Sequence, residues 1–245
     1  MKNLKLSIEY NGSRFCGWQK QKGKRTVQEE IETAFFTLTG EKACVEGSGR
    51  TDKGVHALCQ VASVKTQSGI PTKNFKYALN NLLPPDIRIK KVEKVSDDFH
   101  ARFSTKRKTY QYLVCVGGEK SAIKNDVLGY YPYAVKLEKM ISVCNFLVGK
   151  HNFKGFCSTN TQVTNFEREI FDIKISRKGR IFCFEVTGDG FLYNMVRIIV
   201  GTLLECGADR LDEKSVKLAL ETGERKYAGK TMSPNGLYLK KVEYK

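Results

Sequence analysis

The chain has 245 residues, of which 41% are hydrophobic and 11% aromatic. This is enough to bury a substantial core and excludes an intrinsically disordered protein. Its 42 lysines and arginines outnumber 26 acidic residues, which gives a net charge of +16. A charge of that size favours a polyanionic partner, because neutralised phosphates release counterions. An anionic membrane surface is the alternative, but no apolar run has transmembrane length and the start, MKNLKLSIEY, has no apolar signal core. We therefore expect a cytoplasmic protein that binds nucleic acid.

The first part of the chain predicts the element order β-α-β-β-α-β. Thr26 and Glu29 have the spacing of a capping box in front of a helix that ends at Gly40. Pro71 opens a second helix, which Pro84-Pro85 ends. Alternating or apolar runs predict strands at 4–10, 43–47, 55–64 and 87–95. This order is that of a ferredoxin-like unit, which many RNA-binding modules share.

The rest of the chain predicts the same order again. Strands are expected at 109–117, 169–176, 180–188 and 236–244, with helices over 137–147, in LYNMVRIIVGTLLECG and in SVKLALETG. The predicted fold is therefore α+β. Two tandem ferredoxin-like (RRM-like) halves, 1–103 and 104–245, merge into one mixed, mainly antiparallel sheet with helices packed on it. The expected site is a central cleft where the halves meet.

Metal and cofactor sites are not expected. The eight cysteines include no CxxC pair, and the three histidines are scattered along the chain. The stretch GSGRTDKG lacks the spacing of a P-loop and is not followed by a helix, as a dinucleotide site requires. Buried thiols in a reducing compartment explain the cysteines best.

The loop GSGRTDKGVHA (47–57) places Arg50 two residues before Asp52, among three glycines. For an arbitrary Arg-x-Asp the simplest interpretation is a surface turn with a weak ion pair. The alternative is functional. A single carboxylate held by flexible backbone among cations is a usable nucleophile or base.

Two further stretches mix aromatic and basic residues. The first, 11–25, carries Phe15 and Trp18 among its cations, and the second, 101–112, carries Tyr110. Such stretches suit bases that stack beside phosphates, or they are solvated basic turns. The basic residues predicted to bind substrate are Arg14, Lys22, Lys24, Arg107 and Lys108.

A third stretch, GDGFLYNMVRIIVG (188–201), places Arg197 in an apolar helix. That arginine either extends to solvent or pairs with an acid. We also predict that Leu192, in the same stretch, contacts substrate.

These motifs together resemble the TruA-type tRNA pseudouridine synthases, bacterial enzymes that isomerise uridine in the anticodon stem-loop. YNGSRFCGWQKQ, TVQEEIE, GSGRTDKGVHA, ARFS, KTYQY, FLYNMVRIIVG and SPNGLYL follow one another in the order of that family. The resemblance implies that Asp52 is the catalytic nucleophile and that Arg197 pairs with it. It also implies that Tyr110 packs against the target base and that Arg50 holds the target nucleotide out of its stack. Asn152 and SPNG depart from the family pattern, which concerns local substrate contacts.

The expected function is thus isomerisation of uridine to pseudouridine at positions 38, 39 and 40 of tRNA, without cofactor. The resemblance further implies a homodimer. Two alternatives stay open at this point: a non-catalytic RNA-binding protein on the same fold, and the same chemistry on another RNA.

Overall fold

A computed structural model describes residues 1–158 and 163–244. The described residues form ten strands: β1 (Lys2–Tyr10), β2 (Glu46–Gly47), β3 (His56–Thr66), β4 (Ile87–Val95), β5 (Thr105–Val116), β6 (Gly129–Tyr131), β7 (Gly149–Asn152), β8 (Glu167–Lys178), β9 (Ile181–Gly188) and β10 (Leu237–Tyr244). They also form five α-helices: α1 (Val27–Thr39), α2 (Thr72–Leu82), α3 (Leu137–Leu147), α4 (Met195–Gly207) and α5 (Glu213–Thr222). The predicted α+β class is confirmed.

The chain divides into two compact units. Unit 1 holds Met1–Lys106 and the end of the chain from Tyr238, and unit 2 holds Arg107–Leu237. Most of the last strand thus belongs with unit 1. The division into halves 1–103 and 104–245, and their merger into one sheet, stay predictions.

Unit 1 has the strand arrangement that its element order predicts. β1 lies between β3 and β4 and is antiparallel to both. The other edge of β3 is shared, because β2 pairs with one end of it and β10, in parallel, with the other. The apolar side chains of β1 are fully buried, and Phe35 of α1 stacks on Phe75 of α2 at 5.8 Å between ring centroids.

The strand predicted at 43–47 is reduced to Glu46–Gly47. The reason lies at Val45, whose backbone groups bond to side chains of α1. Its N–H donates to Glu32 Oε1 at 3.1 Å, and its carbonyl accepts from Gln28 Nε2 at 3.2 Å. These groups are therefore unavailable to a neighbouring strand.

The predicted capping box at Thr26 and Glu29 is wrong, although Thr26 is the N-cap residue of α1. The Thr26 hydroxyl is buried and has no hydrogen-bond partner among the described atoms. The first two helical N–H groups donate instead to backbone carbonyls of the preceding loop. Val27 N bonds to Gly17 O at 3.2 Å, and Gln28 N to Trp18 O at 3.0 Å. The loop backbone thus caps the helix and is fixed by it.

Unit 2 has the strand order β5-β9-β8-β7, with antiparallel neighbours throughout, and β6 pairs in parallel with β5. Helices α3 and α4 pack together, and α5 packs on α3. The strands β6 and β7 were not predicted, because three and four residues are too few to show a period. Within 1–158 and 163–244, no helix has the length and apolar character to span a bilayer.

Candidate active site

The loop that carries Arg50 and Asp52 is anchored on one side by Gln60, a fully buried polar residue of β3. Gln60 Oε1 accepts from the Ser48 hydroxyl at 2.7 Å, and Gln60 Nε2 donates to Gly49 O at 2.9 Å. One side chain therefore fixes the two residues that precede Arg50. A buried amide is satisfied in this way by the backbone it holds.

The other side of the loop is held through Thr51, between the two candidate residues. Its hydroxyl shares a hydrogen bond of 2.7 Å with the Tyr10 hydroxyl, and its carbonyl accepts from Trp18 N at 3.0 Å. Burial raises the pKa of Tyr10, so that its phenol stays protonated in this contact. The Asp52 carbonyl accepts from Val55 N at 3.1 Å and closes the turn. Asp52 itself is half-buried.

His56 follows the loop directly and fixes its end. The ring is buried, its Nδ1 accepts from Gly12 N at 3.0 Å, and it stacks on Tyr238 with 4.7 Å between centroids. Because Nδ1 accepts a hydrogen bond, it carries no proton. The sequence analysis missed His56, Gln60 and Tyr10. A polar residue at an inward position of a strand was the signal available for Gln60.

The basic stretch 11–25 contains two kinds of cation. Lys20 lies near Glu29 and Glu32, at 3.8 and 3.6 Å, and Arg25 forms a bidentate pair with Asp86. The remaining three cations, Arg14, Lys22 and Lys24, are exposed. Among the described residues, no acidic side chain lies within ion-pair distance of them. These three predicted substrate contacts are therefore available to phosphates.

The aromatic residues of these two stretches differ in exposure. Phe15 and Trp18 are only 1% and 2% exposed, so the alternative in which these two rings stack on RNA bases does not hold. They fill the core beneath the loop instead. In the stretch 101–112, Phe103 is 76% exposed, with the Arg102 guanidinium 5.6 Å from its ring centroid. The sequence analysis did not single it out.

In unit 2, Tyr110 lies on β5 opposite Val186 of β9 and is 8% exposed. Its ring meets Phe191 edge-on, with 5.2 Å between centroids. Nearby on the same strand, Tyr112 donates its hydroxyl to Ser233 O at 2.9 Å, and burial raises its pKa to about 12. The Tyr112 hydroxyl therefore has a structural role, and both tyrosines are buried.

The two basic residues before Tyr110 differ in exposure. Arg107 is exposed, with its guanidinium 5.0 Å from the Phe171 ring centroid, and Lys108 is half-buried.

Arg197 lies in the first turn of α4 and is half-buried. Its Nε donates to Met232 O at 2.6 Å, and its Nη1 donates to Asn194 Oδ1 at 2.5 Å. Asn194 is itself held, since its Nδ2 donates to Ser158 Oγ at 2.9 Å. The guanidinium is thus held within unit 2 and does not simply extend to solvent. Leu192, just before the helix, is buried at 6% exposure.

A family model described as tRNA pseudouridine synthase matches residues 6–104 and 143–245. The chain belongs to this family. The matched ranges contain the Arg50–Asp52 loop, Leu192 and Arg197, whereas Arg107, Lys108 and Tyr110 lie between them. No group of three metal-ligating side chains is present in the described part of the chain.

Relatives similar to this chain along its whole length carry the same family name. The tRNA pseudouridine synthase A of Caldicellulosiruptor saccharolyticus is 45% identical over 244 residues, which is 100% of each chain. That of Acetivibrio thermocellus is also 45% identical over 100% of each chain. A solved Cbf5-Nop10-Gar1 complex is 13% identical with a TM-score of 0.36, over 94% of this chain and 69% of that one. A TM-score this low supports no conclusion about this chain.

Family membership makes the chain an isomerase that converts uridine in tRNA to pseudouridine. Of the two alternatives left open by the sequence, the non-catalytic binder is therefore set aside.

Proposed function

We propose that the chain modifies uridines 38, 39 and 40 of tRNA, with Asp52 as the nucleophile and without a cofactor. The observation that carries this proposal is the way the Asp52 loop is held. Buried Gln60 fixes the residues before Arg50, and the Tyr10–Thr51 hydrogen bond fixes the residue between Arg50 and Asp52. A nucleophile needs such preorganisation, because misplacement by about 1 Å costs on the order of a hundredfold in rate.

The reaction is an isomerisation without net oxidation or hydrolysis. An ionised Asp52 adds to C1′ of the sugar or to C6 of the uracil, and the N1–C1′ bond breaks. The uracil then rotates and C5 bonds to C1′. The bond between Asp52 and C1′ or C6 breaks, the C5 proton leaves, and N1 ends with a proton. Both routes consume and regenerate the same carboxylate, so Asp52 must be ionised at the start.

Arg50 serves the step before chemistry. The target uridine has to leave the base stack, at a cost of a few kcal/mol. An exposed guanidinium next to the nucleophile fills the vacated space and contacts phosphates. Tyr110 packs against the extruded base, Leu192 contacts the substrate, and Arg197 keeps Asp52 ionised.

Substrate affinity rests on cations outside this group. Arg14, Lys22 and Lys24 contact phosphates, together with Arg107 and Lys108. The resemblance to the family also suggests a cytoplasmic homodimer whose partner subunit contacts the same tRNA. Sedimentation of the protein with and without tRNA tests this assembly, and a monomer in both states would contradict it.

The substrate assignment is tested by mapping pseudouridines in total RNA from cells with and without the gene. We expect positions 38, 39 and 40 of tRNA to lose the modification and to regain it with the wild-type gene. Loss confined to another RNA would contradict the proposed substrate while leaving the chemistry intact.

The role of Arg197 is tested by the pH dependence of the single-turnover rate on saturating tRNA. A nearby cation favours the ionised form of a carboxylate. Arg197→Met should therefore move the acidic limb of the rate profile to higher pH, and Arg197→Lys should move it less. An unchanged acidic limb in a folded Arg197→Met enzyme would assign Arg197 to packing, through Met232 and Asn194.

A further inference from the structure

A chain of amide hydrogen bonds connects Arg50 to helix α1. The Arg50 Nε donates to Gln19 Oε1 at 3.1 Å, and Gln19 Nε2 donates to Gln28 Oε1 at 2.8 Å. The chain continues from Gln28 Nε2 to Glu32 Oε1 at 3.0 Å and to Val45 O at 3.2 Å. It thus runs from an exposed guanidinium to a glutamine that is only 7% exposed.

The surrounding groups allow only one orientation of both amides. Gln28 Oε1 accepts a second bond, from Lys20 N at 2.9 Å, while its Nε2 faces two oxygens. A flipped Gln28 amide would place an NH₂ group against two donors and an oxygen against two acceptors. Gln19 then has to donate to Gln28, which leaves its oxygen for Arg50. The direction of the whole chain is therefore set by the carboxylate of Glu32 and the carbonyl of Val45.

Arg50 needs this support more than most side chains of the loop. It is exposed, and in the part of the chain that the structure describes Gln19 is the one group that accepts from it. A free arginine side chain samples many rotamers, and this freedom is lost when it enters the space of an extruded base. An acceptor on Nε restricts the side chain in advance and leaves both terminal nitrogens available to phosphate or base.

We propose that Gln19 and Gln28 are positioning residues for Arg50, which aim its guanidinium before the target uridine leaves the stack. The inference rests on the proposed function, in which Arg50 holds that nucleotide. Neither glutamine touches the reacting atoms. Their effect on the reaction passes through Arg50.

The test is a double-mutant cycle on the full-length protein, read as the single-turnover rate at saturating tRNA. Gln19→Met keeps the length of the side chain and removes its oxygen and amide. Loss of one hydrogen bond predicts a rate about fivefold lower. In the Arg50→Ala background the same substitution should leave the rate unchanged, because the group it positions is absent.

Two more variants serve as controls for loop damage and for loss of stability. Gln21→Met removes an exposed amide of the same loop, which bonds to the backbone carbonyls of Cys16 and Gln19 at 3.0 and 3.4 Å and has no bond to Arg50 or to the Gln19 side chain. It should keep the wild-type rate at saturating tRNA. If Gln19→Met strongly lowers the melting temperature, Gln19→Ala replaces it in the same double-mutant cycle, since Gln19 is half-exposed.

The outcomes separate the inference from the proposed function. Equal slowing by Gln19→Met with and without Arg50, or no slowing at all, would overturn the positioning role. A wild-type rate in Arg50→Ala alone would instead contradict the proposed role of Arg50. Slowing that disappears in the Arg50→Ala background supports both.

Discussion

Two neighbouring parts of unit 1 carry the proposed chemistry and the proposed phosphate contacts, and they are built in different ways. The loop 47–55 is held by buried groups of β1 and β3 and by the backbone of the loop before α1. The turn 21–24 is held only through exposed groups: Lys24 N donates to Gln21 O at 3.2 Å, and the Gln21 amide donates to Cys16 O and Gln19 O at 3.0 and 3.4 Å. All four of its residues are exposed.

The contrast shows what each task requires of the backbone. A nucleophile acts only within a narrow range of positions, so its loop is fixed from both sides. Phosphate binding depends mainly on charge and tolerates movement, because the attraction is long-range and much of the free energy comes from released counterions. A rigid loop next to an adaptable turn fits an enzyme that grips an irregular RNA and modifies one base.

The largest expected effect comes from adding one methyl group to Gly17, which packs against the loop 47–55, compared with adding one to Gly23 in the turn 21–24. Gly17 has φ +91°, and a Cβ there would lie 2.6 Å from Thr51 O, whereas Gly23 has φ +69° with nothing within 4 Å. Backbone strain costs about 1–2 kcal/mol at either site. Gly17→Ala should lower the free energy of unfolding by about 3 kcal/mol in total, because Thr51 must also move. Since Thr51 lies between Arg50 and Asp52, the variant should also lose turnover.

Gly23→Ala serves as the matched control for Gly17→Ala. The free energy of unfolding, measured with denaturant, should fall by about 1 kcal/mol in Gly23→Ala, and the activity should be unchanged. Equal losses of activity in both variants would mean that rigidity of the Asp52 loop is not special.

A smaller effect should come from the charges of the turn. Replacing Lys22 and Lys24 by glutamine removes phosphate contacts, each of which lowers the slope of log affinity against log salt by roughly 0.7–0.9. The rate at saturating tRNA should be unchanged. Lys20→Gln is the control, since Lys20 lies beside Glu29 and Glu32 and should change the slope less. Unchanged slopes for the turn would place the phosphate contacts elsewhere.

The smallest expected effect concerns buried groups of unit 2, which lie in neither the loop 47–55 nor the turn 21–24. Burial raises the pKa of Cys144, Cys206 and Tyr112 in unit 2 to about 12, from ordinary values of 9.0 and 10.0. Groups with a raised pKa stabilise the fold fully below the ordinary value, and this contribution is lost as pH rises towards 12. Melting temperatures should therefore stay level from pH 7 to about 8.5 and fall above about pH 9. A fall that begins below pH 8 would contradict this assignment.

Much of the fold could be predicted from the sequence. The alternation of β1 and the helical spacing of α1 and α2 are local signals, and they were read correctly because the same residues form the core. The capping of α1 could not be predicted, since its partners are backbone carbonyls of Gly17 and Trp18. Nor could the shortening of β2, which depends on two side chains of α1 reaching Val45.

The sequence predicts the motif of the candidate site, but not the residues that hold the loop in place. Arg50 and Asp52 were singled out because the motif GRTDKGVHA (49–57) around them is so specific. Their anchors, Tyr10 and Gln60, lie on β1 and β3, and nothing in the sequence but the polar type of Gln60 at an inward position marked either of them. For Phe15 and Trp18 the sequence left stacking on RNA open, because neighbouring cations suggested a surface, and their burial rules it out. Cations in a loop say little about which way its aromatic residues point.

The central claim, that a fixed loop presents Asp52 as the nucleophile, is tested most directly by Asp52→Asn. The substitution keeps the shape and removes the negative charge, while the phosphate contacts stay in place. Single-turnover assays on saturating tRNA should show no pseudouridine, and the Kd for tRNA should stay within a few-fold of wild type. A rate at a sizeable fraction of wild type would contradict the account, and a folded variant that no longer binds tRNA would assign Asp52 to binding instead.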